Sequence, residues 1–265
     1  MPASAAFESP ASAARPAVVG ICDWGVGGLG FYGLLRAARP DLDVVYIGDQ
    51  GVPGYGKLPR PALTIRLRFV LGAFRERGVR DVVVACNAAS TVLDAAQVDG
   101  VRATGMIEPT LRALRRPRGD ALQTGASASL GIIGGRRTIL SGAYARPLRA
   151  AGYTVRNRIA QPLSGLIEAG DLAAARVALD VILQPLADVA TLVLACTHYV
   201  VLAEDIGLRL SRAKLLDPAT LAWREVAPTL PAPTPRRGRT TFLTSGDPAL
   251  MRRTAAAAFG VDCSP

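Results

Sequence analysis

Short unbroken apolar runs alternate along this chain with longer stretches of helical spacing. Ala17–Asp23 is such a run; a glycine-rich turn follows, and Leu29–Arg39 reads as a helix that stops at Pro40. Asp43–Gly48 predicts a second strand, Pro61–Arg77 a long amphipathic helix and Asp81–Cys86 a third strand. Continuously apolar strands belong to sheets covered on both faces, so this βαβαβ pattern predicts a parallel sheet with helices on either side. Arg115–Ser129, polar and carrying Pro117, Gly119 and Gly125, reads as a surface loop. The pattern then restarts. Ser129–Gly134 is a strand entering another glycine turn, Thr138–Ala151 a helix, Thr154–Arg158 a strand, Leu172–Ala190 helical with a break near Pro185, and Thr191–Cys196 a strand. The proline-rich stretch Thr229–Thr240 precedes a strand at Thr241–Ser245 and a helix over Pro248–Phe259.

The repetition predicts an α/β fold of two similar parallel-sheet domains related by a pseudo-twofold, with a site in the cleft between them. The first domain is expected over 17–109 plus 217–265 and the second over 110–216, with 1–16 a disordered tail. Two cysteines sit in twin surroundings at strand ends, Val-Val-Val-Ala-Cys86-Asn and Leu-Val-Leu-Ala-Cys196-Thr. Open α/β sheets handle ligands at the carboxyl ends of their strands. A twofold arrangement would therefore bring both thiols to one ligand. Either cysteine alone would read as an ordinary buried residue, which is how Cys22 and Cys263, lacking such context, are read.

Composition narrows the function. The chain has 265 residues, 50% of them hydrophobic, enough for one large or two modest cores. Its net charge of +10 raises nucleic acid as a partner. However, the charge is almost all arginine scattered along the chain, with Lys57 and Lys214 the only lysines, and the 5% of aromatic residues do not interleave with it. Neither nucleic acid nor membrane is expected, since no run approaches the roughly 20 apolar residues of a membrane span. The cysteines form no Cys-x-x-Cys pair, and His198, the single histidine, cannot complete a metal site by itself. A reduced, cytoplasmic protein is expected, and the Ala/Ser/Pro-rich start does not read as a signal peptide.

One motif points elsewhere. Gly25-Val26-Gly27-Gly28-Leu29-Gly30 satisfies the Gly-x-Gly-x-x-Gly dinucleotide fingerprint, with Asp49 closing the next strand. Against this, Asp23 places a carboxylate where a pyrophosphate would add negative charge, and nothing downstream resembles a hydride-transfer site. The glycines are better read as a tight turn at an anion-binding helix N-terminus.

The same residues resemble a different family. Gly20-Ile21-Cys22-Asp23-Trp24-Gly25-Val26-Gly27-Gly28-Leu29 is similar to the opening of the cofactor-independent aspartate/glutamate racemases, nearest to the glutamate racemases. The resemblance continues in order through Tyr46-Ile47-Gly48-Asp49, Tyr55-Gly56-Lys57, Ala85-Cys86-Asn87-Ala88-Ala89-Ser90, Gly131-Ile132-Ile133-Gly134 with Thr138-Ile139, Gln161-Pro162-Leu163 with Glu168, Cys196-Thr197-His198-Tyr199 and Thr244-Ser245-Gly246-Asp247-Pro248. It implies an amino-acid racemase that uses no cofactor, works on a small amino acid or carboxylate and forms a homodimer. It also implies roles: Cys86 and Cys196 move the Cα proton, Asp23 assists Cys86, and Glu168 and His198 assist Cys196. Trp24, Tyr55, Gly56, Asn87, Ala88 and Thr197 then stand at the positions of substrate-binding residues. Thiols suit this work because their ordinary pKa, about 8.5, lies close enough to neutrality for neighbours to tune.

Four positions depart from the family pattern. Trp24 stands where glutamate racemases carry serine, Ala88 where they carry threonine, and Gly54 and Val200 where they carry proline. An indole for a small hydroxyl changes pocket volume, and the lost threonine removes a grip on the α-carboxylate. Three readings follow: racemisation of glutamate or aspartate; a related isomerase, epimerase or decarboxylase acting on a different or larger α-carboxylate compound; or a binding protein on the same scaffold. Whether Trp24 points into the core or towards the thiols separates a preserved pocket from an altered one.

Overall fold

The computed structural model describes residues 19–115 and 129–264. The expected tail at 1–16, the start of the first strand at 17–18 and nearly all of the expected loop Arg115–Ser129 lie outside the described residues. Among the described residues nine strands form two sheets: β1 Val19–Asp23, β2 Val44–Gly48, β3 Asp81–Val84, β4 Arg102–Gly105 and β9 Thr240–Thr244 in one, β5 Ser129–Gly134, β6 Thr154–Ile159, β7 Thr191–Ala195 and β8 Lys214–Leu216 in the other. Every pairing is parallel. The first sheet runs β4-β3-β1-β2-β9 and the second β6-β5-β7-β8. Read from the other edge, the second is β8-β7-β5-β6, so the order 4-3-1-2 is used twice, β3 and β7 being equivalent. These are two parallel-sheet α/β domains.

Strand alternation divides each core. In β2, Val45 and Ile47 face the layer under the helix Arg60–Glu76, whose Leu63, Leu67, Leu71 and Phe74 are buried. Val44 and Tyr46 face the opposite layer, with Leu29, Phe31 and Leu35 of the helix Leu29–Ala38 and Ala222 of the helix Pro218–Val226. The second sheet is likewise covered by two apolar layers, one of which takes Leu111 and Leu114 from the helix Ile107–Arg115.

Several elements differ from the sequence expectation. The strand expected over Asp81–Cys86 ends at Val84, and Cys86 becomes the residue capping a short helix, Asn87–Ser90. The helix expected over Thr138–Ala151 is two, Arg136–Ser141 and Ala145–Ala150, because Gly142 takes a left-handed φ of 67° that stops the first. The helix from Leu172 ends at Leu183, with a single 3-10 turn carrying Pro185 before the chain leaves helical geometry. Two Asp-Pro pairs, 217–218 and 247–248, start helices as good caps should: Asp217 accepts from Ala219 N–H at 2.9 Å and Asp247 from Ala249 N–H at 2.8 Å.

Asp49, the acid that a dinucleotide reading would turn towards a ribose, is fully buried and already engaged. It accepts from Arg66 Nε at 2.7 Å and Nη2 at 2.5 Å, from Tyr55 at 2.5 Å and from Ser245 at 2.5 Å. It pins the loop carrying Tyr55 to the sheet and to the turn after β9. Removing one partner of a buried, hydrogen-bonded ion pair leaves an uncompensated charge. Asp49→Asn is therefore expected to lower the unfolding free energy by about 3–5 kcal/mol in urea titration, whereas Asp81→Asn, which breaks an exposed pair with Arg102, should leave the midpoint where it is.

Candidate active site

The ends of β1, β3 and β7 meet around one cavity of about 540 Å³. Of the eleven predicted site residues, ten line it: Asp23, Trp24, Tyr55, Gly56, Cys86, Asn87, Ala88, Cys196, Thr197 and His198. Glu168 does not reach the wall and stands behind His198. Cys86 and Cys196 are both unpaired thiols at equivalent strand ends. Cys22 and Cys263 are buried in the apolar layers of the first domain and do not line the cavity.

Each of the two cavity thiols has its own partner. The Asp23 carboxylate is the charged neighbour of the Cys86 thiol, and burial, then the charge of Asp23, pushes this thiol well above its ordinary range. Asp23, almost wholly buried, is itself raised: loss of solvent outweighs its hydrogen bonds and the charge of His198. It accepts from Trp24 N–H at 2.7 Å and from the Thr197 hydroxyl at 2.6 Å. On the other side, Cys196 Sγ lies 3.8 Å from His198 Nδ1, and His198 Nε2 lies 2.6 Å from Glu168 Oε1. Burial acts to discharge His198, but Cys196 and Glu168 prevail and hold its imidazole protonated well above the usual histidine range. Glu168 is lowered, His198 and the donors Val26 and Gln50 overcoming its burial.

The glycine motif belongs to this assembly. Val26 N–H donates to Glu168 Oε1 at 3.0 Å, so the anion at the glycine turn is the protein's own carboxylate. A Cβ at Gly25 would stand 2.1 Å from Glu168 Oε1, and one at Gly27 would stand 2.6 Å from Thr197 Oγ1 and 2.7 Å from the His198 ring. These glycines are required because side chains of the second domain press against the first. Gln50 adds a second donor to Glu168, Nε2 to Oε2 at 2.8 Å; nothing in its sequence position signals that contact. The Thr254 hydroxyl, on the last helix, holds the Glu168 carbonyl at 3.2 Å.

Trp24 lies on the cavity wall, with its back against the first domain's core. Its Nε1 donates to Val52 O at 2.8 Å and its ring centre is 6.4 Å from that of His198. A Cβ at Gly54 would meet the indole at 3.7 Å. Two of the four departures, tryptophan for serine and glycine for proline, are thus one feature, an indole laid against a bare backbone. The Tyr55 hydroxyl is occupied by Asp49, leaving its ring and main chain to face the cavity. Lys57 and Gln161 also line the wall. Among the described residues no group of three or more His, Cys, Asp or Glu side chains is placed to hold a metal ion.

The chain is similar in sequence and fold to known proteins. The profile of the Asp/Glu/Hydantoin racemase family matches residues 36–226. The glutamate racemase of Thermus thermophilus is 37% identical over 250 residues, covering 90% of this chain and 91% of the relative. That of Mycobacterium tuberculosis is 34% identical over 260 residues, covering 92% and 93%. Among solved structures, Thermus thermophilus glutamate racemase in complex with beta-chloro-D-alanine superposes with a TM-score of 0.77 at 33% identity, over 91% of this chain and 93% of that one. The RacE1 glutamate racemase of Bacillus anthracis, at 24% identity, shares the fold with a TM-score of 0.82 over 94% and 96% of the two chains. By its sequence over most of its length, the chain belongs to the Asp/Glu/Hydantoin racemase family.

Proposed function

We propose that this protein is a glutamate racemase that inverts Cα with two cysteines and no cofactor. The observation that carries the reading is that Cys86 and Cys196, at equivalent ends of two domains, line one cavity with separate acid–base partners. Racemisation needs a base on one face of the carbon and an acid on the other. The resting arrangement supports an unequal pair. Burial beside Asp23 favours the thiol at Cys86, while the His198 imidazolium places a positive charge beside Cys196. Cys196 takes the Cα proton of one enantiomer and Cys86 returns a proton from the opposite face. The reverse reaction begins from the exchanged state, Cys196 a thiol and Cys86 a thiolate, so that Cys86 takes the Cα proton and Cys196 returns one from the other face. Glu168 keeps His198 charged throughout.

A second reading rests on Trp24 and Ala88. The indole and the methyl group stand where the resemblance places substrate-gripping hydroxyls, and both line the cavity, which favours an α-carboxylate compound with a different or larger side chain handled by the same thiols. The division into 17–109 with 217–265 and 110–216, a homodimer and a cytoplasmic location belong to the same proposal. No helix among the described residues is long and apolar enough to cross a membrane.

Wild-type protein in deuterated water is expected to exchange the Cα proton of L-glutamate and release D-glutamate without added cofactor, followed by mass spectrometry and chiral chromatography. Exchange confined to other α-carboxylate compounds would select the second reading, and no turnover with tight binding would indicate a binding protein. Cys86→Ala and Cys196→Ala should each lower racemisation in both directions by at least about a thousandfold, within the range that general acid–base groups supply; full activity in either rules out the two-thiol mechanism.

The charged pair makes a separate prediction. A histidine whose folded pKa is raised adds stability that is fully present below its unfolded value, about 6.5, and lost as pH rises through the folded value. The excess unfolding free energy of wild type over His198→Asn should therefore fall above pH 6.5, by up to about 1.4 kcal/mol per pH unit. Urea titrations at several pH values measure it, and a gap that widens with pH would contradict the ion pair.

A further inference from the structure

Asn87 follows Cys86 and is almost wholly buried, yet its Nδ2 has no partner in the protein. Orphaned buried donors are uncommon enough to need a reason. Its other branch is tied down: the Tyr144 hydroxyl donates to Asn87 Oδ1 at 2.6 Å. Tyr144 comes from the second domain, at the start of the helix Ala145–Ala150, is itself buried and does not line the cavity. The contact crosses the domain boundary directly behind the Cys86 end of the site.

A phenol has one hydrogen to give. Met106 O, at 3.5 Å from the phenol, is at the limit of a hydrogen bond and far poorer than Asn87 Oδ1, and the neighbouring Thr110 hydroxyl spends its own hydrogen on Met106 O at 2.7 Å. Burial, opposed by Thr110 and aided by Asp217, keeps the phenol well above its ordinary range, so that hydrogen is present at any working pH. With Oδ1 accepting from Tyr144, the amide is oriented, and Nδ2, buried and unpaired, is the remaining branch of a side chain that lines the cavity. Beside it Ala88 has no polar group, and the Thr197 hydroxyl is given to Asp23.

We propose that Tyr144 is a positioning residue that locks the Asn87 amide so that the site presents a donor, and therefore accepts a carboxylate oxygen, beside Cys86. This rests on the racemase reading for the identity of the substrate and not for the lock itself. Because the lock forms across the domain boundary, the donor is correctly placed only when the two domains are closed on each other.

The test is Tyr144→Phe, which removes one oxygen and keeps the ring. With glutamate as the probe, KM should rise about tenfold, the loss expected for one net hydrogen bond to a charged acceptor, with kcat within about threefold of wild type, since the contact is made in ground and transition states alike. A variant whose melting temperature drops while KM stays unchanged makes Tyr144 merely structural and overturns the proposal. A second readout needs no turnover. The Asn87 side-chain amide pair, assigned in a ¹H–¹⁵N spectrum by its absence in Asn87→Asp, should exchange with solvent at least about tenfold faster in Tyr144→Phe, the loss of the same hydrogen bond. Unchanged exchange overturns the lock. If wild type does not turn over glutamate, the racemase reading fails on its own and this exchange decides the inference. Should Tyr144→Phe fail to fold, fluorotyrosine at 144, a sharper donor of the same shape, must move the Asn87 Nδ2 resonance; an unmoved one also overturns the proposal.

Discussion

The Glu168 carboxylate is the interaction on which the rest of the site depends. It ends a helix of the second domain, accepts from Val26 N–H and Gln50 of the first, and pairs with His198 at 2.6 Å. A carboxylate at a helix C-terminus is disfavoured by the helix dipole, and burial adds to the cost. Three hydrogen-bond partners, one of them charged, offset both. The consequence runs outwards: Gly25 must lack a side chain, the turn after β1 must close tightly, and the two domains must meet at that place.

From this fixed point the two thiols acquire different characters. Cys196 lies beside an imidazolium that Glu168 keeps charged. Cys86 lies against Asp23, a carboxylate whose own burial resists ionisation. Similar strand ends in two domains built on one strand order thus carry unlike chemistry, because their neighbours differ in charge. Thr197 ties the sides together, since it follows Cys196 and donates to Asp23. A change in charge at either thiol is felt at the other, Cys196 being among the groups that raise Cys86.

Much of this was legible in the sequence, and what was not has physical causes. Apolar runs such as Val-Val-Val-Ala before Cys86 announced buried parallel strands, because a strand covered on both faces cannot alternate. The twin cysteine contexts announced a repeated topology. Short edge strands were missed: β4, Arg102–Gly105, is partly exposed and polar, and β8 has three residues, so neither carries an apolar run. The break at Gly142 was missed because a left-handed residue inside an apolar periodic stretch leaves the periodicity intact. Gln50 and Tyr144 were missed because each acts on a residue more than fifty positions away, and such contacts leave no local signature. The glycine motif matched a dinucleotide fingerprint for the same reason, and only its context argued against that reading. Its glycines are bare to admit Glu168, Thr197 and His198, and local spacing cannot distinguish that need from room for a pyrophosphate.

The central claim is that two thiols address one carbon from opposite faces. It is tested most directly by incubating Cys86→Ala and Cys196→Ala separately with pure L- and pure D-glutamate in deuterated water and following wash-in at Cα. Each variant keeps a base on one face only. The account predicts that each exchanges one enantiomer with retention, and that the two variants prefer opposite enantiomers. If both prefer the same enantiomer, the thiols do not stand on opposite faces and the account is wrong.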